Sequence, residues 1–402
     1  MVTYFQRGFL LAVGLTLGLL SSVATVWACP FCDTPSTTYS EQLKEAPAVL
    51  FVHWDSAEKP DALNFEPGSA TYRVVHAYRQ PGTDVMIGDL IKIPFYQSGQ
   101  PGDSFWMLGS VTGEETEEDA DKTTARKLNW SPPVAMSQQC WDYAIQGPQR
   151  DLPIRKRLPY YLPYLEHADP DIAMDAYGEF AGAPYDDVLA MKEQMPRENL
   201  LKWLTDAETI PSRRGLYGLM LGLCGTPDDA TAIEPILLEQ PRDARLGIDG
   251  MMAGYVLLTG ETGLKKLTDA KLVNRDVISS ESFAMLQTLR FLWQYAPHAA
   301  PKEDLITSMR LLLDHPQYAS FAIIDLARWQ DWDTVELLIE RYGHGIYADR
   351  HVKMAVIRFL LLAAYDAPSG SAKSISLARI TLNELRLTEP ELLESVERKR
   401  FD

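Results

Sequence analysis

The chain has 402 residues, and its 55 acidic against 38 basic side chains give a formal net charge of −17. A composition of 46% hydrophobic and 23% charged residues excludes wholesale disorder, and four cysteines exclude a disulfide scaffold. The acidity argues against a nucleic-acid partner, which calls for a basic surface.

In chain order, residues 1–28 carry the pattern of an export signal. Arg7 precedes the apolar run Gly8–Leu20, Ser21-Ser22 breaks it, and Val26 and Ala28 stand at the −3 and −1 positions of a cut. The expectation is an exported chain (periplasmic, surface-located or secreted) that begins at Cys29. The alternatives are an uncleaved anchor, because the apolar stretch reaches about 19 residues, or a lipid on Cys29. Membrane contact is expected only in those two cases.

From residue 29 to 148 the pattern is that of short strands. Ala48–Trp54 is a continuous apolar run, and Thr71–Tyr78 alternates and is rich in β-branched and aromatic residues. Ile91, Ile93 and Phe95 alternate with polar or proline neighbours. Phe105–Leu108 follows a Pro-Gly-Asp turn, and a last strand surrounds Leu128-Asn129-Trp130. Five such strands predict a small antiparallel barrel or sandwich, closed by a helix over Ser137–Gln146.

Residues 149–158 form the expected linker, within a stretch to Pro163 rich in proline and basic side chains. From residue 159 to 402 the period becomes helical. Leu216, Leu219, Met220 and Leu223 share one face, and Thr226, Pro227 and Asp228-Asp229 open the next helix. Val335, Leu338, Ile339 and Tyr342 repeat the stripe, with Asp333 and Glu336 at capping-box spacing and Gly343 just beyond. Val352, Ala355, Val356, Phe359 and Ala363 form a third. Pair starts near Arg155, Arg213, Arg242, Ser280, Gln317 and Asp349 recur at about 30–40 residues, which approximates a HEAT or armadillo period. The row Gly215, Gly218, Gly222 costs its helix about 1 kcal/mol per glycine relative to alanine and predicts close packing on a neighbouring helix. The expected fold class is therefore α+β and multidomain: a β-barrel over 29–148 and an α-solenoid of helical hairpins over 159–402.

The N-terminal features resemble a netrin-like module, the OB-type barrel shared with tissue inhibitors of metalloproteinases. Cys29 and Cys32 at the mature start, a helix at Ser40–Glu45, the strand from Ala48, the long strand from Thr71, and the segments Gly88–Ile93 and Gly102–Leu108 carry the likeness. The resemblance implies that a disulfide holds Cys29 to the barrel and that its amine and carbonyl can chelate a protease zinc. The spacing here is Cys-Pro-Phe-Cys, where those inhibitors use Cys-x-Cys, and no cysteine lies between Cys32 and Cys140. The overall plan also resembles bacterial exported proteins of unknown function.

Cys29-Pro30-Phe31-Cys32 is the sharpest chemical feature. Its spacing suits a dithiol redox pair, but no strand precedes it. A structural disulfide, either local or from the N-terminus to Cys140, is the favoured expectation. Cys224 reads as a buried free thiol. His344 and His351, near Asp349, are too few to make a zinc site, and the acidic run Glu114–Asp121 lacks the order of a calcium loop. No catalytic signature, cofactor motif or metal motif is found. Trp329, Trp332 and Tyr347, near turns, are candidates for a concave recognition face. The expected function is binding or scaffolding of a protein or envelope partner through the helices. A thiol–disulfide oxidoreductase using Cys29/Cys32, or a metalloprotease inhibitor acting through Cys29, stands as the alternative.

Overall fold

Ala48–Val52 is buried at every position, which explains why this segment reads as an unbroken apolar run rather than an alternation. It begins β1 (Ala48–Glu58), the central strand of a six-stranded antiparallel sheet. A computed structural model of the chain describes residues 31, 37–61, 63, 65, 67–79, 85–111, 128–274, 276–365 and 371–398. The expected signal, Cys29, Cys32 and the acidic run 114–121 lie outside the described residues.

Helix α1 (Tyr39–Glu45) leads into β1, with Thr38 and Glu41 forming a capping box. β2 (Ser69–Arg79), β3 (Leu90–Ile93), β4 (Ser104–Val111), β5 (Leu128–Trp130) and the short β6 (Val134–Ala135) follow. The strand order is β3-β2-β1-β4-β5, with β6 also on β4, and the sheet curls into a nearly closed, barrel-like form. Leu50, Val52, Tyr72, Val74, Phe105 and Met107 fill its inside. Val49, Phe51 and Trp106 face the other way, into the helices.

Seventeen α-helices occur among the described residues. After the sheet come α2 (Gln138–Gln146), α3 (Ile154–Tyr161), α4 (Pro170–Ala181), α5 (Tyr185–Leu189), α6 (Arg197–Thr205), α7 (Arg214–Cys224), α8 (Pro227–Leu238) and α9 (Ile248–Thr259). Then come α10 (Glu261–Thr268), α11 (Ser279–Tyr295), α12 (Lys302–Leu311), α13 (Ala319–Arg328), α14 (Val335–Arg341), α15 (Arg350–Tyr365), α16 (Ala372–Thr388) and α17 (Pro390–Arg398). The chain is thus α+β, with its strands following α1 and the other described helices following the strands.

Helix α2 closes the sheet as expected: Ser137 caps it by accepting from the Cys140 amide, and Trp141 stacks on Phe51 at 5.3 Å. Thr226 caps α8 through a capping box with Asp229. The start of α14 differs from expectation. Trp332–Thr334 form a 3₁₀ turn ahead of it, and the Thr334 hydroxyl donates to Asp331 at 2.6 Å. Asp333 therefore sits inside the turn rather than capping the helix.

Of residues 149–158, the expected linker, most are exposed, but Arg157 and Leu158 are buried and two arginines are tied into the helices. Arg150 bonds Glu41 at 2.5 Å and Glu179 at 3.1 Å, and Arg157, itself buried, bonds Glu179 at 2.7 Å. Glu179 is fully buried and also accepts from Thr38 at 2.8 Å and from Ser40. One turn earlier, Asp175 accepts from the Tyr39 amide at 2.6 Å and the Tyr143 hydroxyl at 2.8 Å. These bonds pin α1 and α2 onto α4, so the sheet side and the helices share one polar seam.

The glycine row packs as predicted. A Cβ on Gly218 or Gly222 would lie 2.5 Å from the Cα of Met251 or Gly254 on α9, and one on Gly254 would lie 1.9 Å from the Gly218 carbonyl. Elsewhere, side chains repeatedly meet partners 32 to 37 residues away: Arg197 with Asp229, Lys266 with Glu234, Arg245 with Glu281, Lys353 with Glu389, and Lys373 with Glu336.

Candidate functional site

Helix α11 buries Ala284, Met285, Leu286, Leu289 and Leu292, so the sequence period leaves Phe283, Gln287, Arg290 and Gln294 along its other side. In the same way α13 buries Ala322, Ile323 and Leu326, and Phe321, Arg328 and Asp325, itself also buried, share its other side. Tyr318 stands just before α13. Three contacts bridge the two helices. Phe283 meets Tyr318 at 5.5 Å between ring centroids. Arg290 Nε donates to Asp325 Oδ2 at 2.7 Å. Trp293 stacks on Trp329 at 4.4 Å, with 9° between their planes. The three pairs are offset in sequence by almost the same amount, so the two helices run in parallel register.

At the Arg290–Asp325 and Trp293–Trp329 rungs lies a cleft of about 600 Å³. Gln287, Gln294 and Arg328 line it together with the Arg290–Asp325 pair, Phe291, Tyr295 and the two tryptophans. Arg290 also donates from Nη1 to Gln287 at 2.8 Å and lies 5.9 Å from the Phe321 ring. Burial pushes the Asp325 carboxyl up, while Arg290 and Arg328 pull it down. Lys302 Nζ lies 5.2 Å from the Trp293 ring. One end of the cleft backs onto an aromatic cluster, in which Phe291 packs on Phe31 at 4.9 Å and on Tyr185 at 5.3 Å.

Phe31 is buried, and its carbonyl approaches Gly215 on α7. It is the third residue of the Cys-Pro-Phe-Cys segment and the one member of it among the described residues. Cys140 is a free thiol, buried, and donates to the Tyr39 hydroxyl at 3.3 Å. The expected bridge from the N-terminus to Cys140 is therefore not formed. Burial pushes the Cys140 thiol up to about 12, against the hydrogen bond to Tyr39, which leaves it protonated and unreactive at neutral pH. Cys224 is also free, and burial pushes it up to about 11.

The three aromatics expected on a recognition face are packed instead. Trp332, 6% exposed, meets Phe359 edge-on at 5.5 Å. Tyr347, 3% exposed, donates to the Leu313 carbonyl at 3.0 Å. Trp329, 8% exposed, lines the cleft while stacked on Trp293. Their position near turns is real, but each turn folds its aromatic inward because a large apolar ring gains more by burial than by exposure. Sequence reasoning missed the polar stripe of α11 and its counterpart on α13. The signal was present in the spacing of Phe283, Gln287, Arg290 and Gln294 and in the charge pair one repeat period apart.

Among the described residues, no three His, Cys, Asp or Glu side chains converge as metal ligands, and no helix is long and apolar enough to cross a membrane. No family model, curated protein or solved structure matches the chain.

Proposed function

We propose that this chain is an exported, non-catalytic binding protein that engages a protein or cell-envelope partner through its helical half. The N-terminal sheet, netrin-like and OB-type in style, serves as a head. Contacts repeating at 32 to 37 residues support a stack of helical hairpins near the HEAT or armadillo period. Such a solenoid presents long surfaces built from successive units. The observation that carries the reading is the α11/α13 cleft, where three side-chain rungs hold two parallel helix faces around an open, mixed polar and aromatic groove.

Site-specific photo-crosslinking tests it. A benzophenone side chain placed at Gln287, Gln294 or Phe321 of the full chain, in the producing cell, is expected to give the same adduct from all three positions. The exposed controls Asn129 and Leu387 are expected to give none. Adducts confined to the controls would contradict the reading. So would insulin reduction by the full chain that disappears in Cys32→Ser, which assigns the redox function instead.

A further inference from the structure

We propose that the α11/α13 cleft takes an extended peptide segment carrying a carboxylate about three residues from an aromatic side chain. This rests on the binding role assigned to the cleft above. The charge of the site selects the carboxylate. Arg290 and Arg328 line the cleft against the single lining carboxylate, Asp325, and Lys302 lies 5.2 Å from the ring of the lining Trp293. Asp325 is buried and already engaged: Oδ2 accepts from Arg290 at 2.7 Å, and Oδ1 lies 3.5 Å from Arg328. Arg328 keeps 70% of its side chain exposed at that long separation, so its guanidinium fork can close on an incoming carboxylate. The exposed Asp186 is near enough to Tyr295 to push that hydroxyl up, but it does not line the cleft.

The apolar half of the ligand follows from the exposed rings. Phe283 and Phe321 are 40% and 43% exposed and stand just beyond the cleft lining, Phe321 with its ring 5.9 Å from Arg290 and Phe283 against Tyr318. Seven residues separate Phe321 from Arg328, about 10 Å along α13. An extended peptide covers that distance in about three residues.

Two other anionic or planar ligand classes fit less well. A glycan stacks on an open aromatic face, but Trp293 has Trp329 against its ring at 4.4 Å and Lys302 near it. A nucleic acid would bring many phosphates to a chain of net charge −17 with two cations lining the site. One or two carboxylates on a short peptide match what the cleft can neutralise.

Fluorescence anisotropy of the full chain with a dye-labelled peptide, Gly-Ser-Glu-Ala-Ala-Phe-Ser-Gly, tests the proposal beside its Glu→Lys and Phe→Ser analogues. The parent is expected to bind at least about tenfold more tightly than either analogue. Arg328→Glu should weaken the parent by about tenfold and narrow or reverse its advantage over the lysine analogue, and Arg328→Gln should show a smaller loss. Arg398→Glu, a change of equal charge at a distant exposed site, should leave binding unchanged, with circular dichroism confirming the fold of each variant. Equal binding of all three peptides, or equal effects of Arg328→Glu and Arg398→Glu, overturns the proposal. Preference for the lysine analogue, lost in Phe321→Ser, overturns the ligand class while keeping the cleft as the site. Absence of binding by every peptide overturns the proposal, and the crosslinking result then decides separately whether the cleft binds at all.

Discussion

Asp175 and Glu179 stand one helical turn apart on α4, both buried, and their surroundings treat them differently. Glu179 has Arg150 and Arg157 against it, whereas Asp175 is met by the Tyr39 amide and the Tyr143 hydroxyl. Burial pushes the Asp175 carboxyl up to about 7, against those two hydrogen bonds, with Glu179 and Glu41 adding to the rise. A raised folded-state value means that the native protein holds this proton more tightly than the unfolded chain does. The contribution is fully present below about pH 4 and is lost as pH rises through about 7, by at most about 4 kcal/mol. Thermal unfolding from pH 5 to pH 8 should therefore show wild-type stability falling on the alkaline side, while Asp175→Asn, which mimics the protonated group, flattens the decline. A variant with the same slope as wild type would show that Asp175 does not carry it. None of this was legible in the sequence, because a carboxylate acquires its environment only when α1 and α2 dock on α4. The free state of Cys140 was hidden for the same reason: identity announces a thiol, and only packing decides its partner.

At the scale of elements, the sequence spoke most clearly where local chemistry decides. The Thr226 cap, the Ser137 start and the row of Gly215, Gly218 and Gly222 were all readable, since caps and close approaches need particular residues. The other half of that contact, Gly247, Gly250 and Gly254 on and before α9, follows at the repeat spacing. Gly254→Ala would set a methyl 1.9 Å from the Gly218 carbonyl, backbone against backbone, with no flexible side chain to yield. It is expected to cost about 3 kcal/mol or more, read as a lowered denaturation midpoint, whereas Gly343→Ala meets no neighbouring atom and pays only for its positive φ. Equal costs for the two would mean that α7 and α9 do not touch here. Legibility failed at Trp329, Trp332 and Tyr347. An aromatic near a turn serves a core or a surface equally well, and the helical stripe that decides between them extends through neighbouring helices.

On the scale of the whole molecule, one apolar cluster runs from the outer face of the sheet through to α17, and Phe31 belongs to it. The strand-then-helix order was visible in the change of period, but the burial of Phe31 was not, since a single phenylalanine between two cysteines gives no pattern. Phe31→Ala removes a ring packed on Phe291 and is expected to cost about 3–5 kcal/mol. That loss should appear as a lower melting temperature of the helical signal in far-ultraviolet circular dichroism. An unchanged melt would place Phe31 outside the core.

Hydrogen–deuterium exchange of the full chain, with and without the partner caught at Gln287, probes the central claim most directly. Slowed exchange should concentrate in fragments covering 279–295 and 318–329, with the sheet strands unaltered. Protection confined to residues 48–111, and none on α11 or α13, would contradict the assignment of binding to the helical groove.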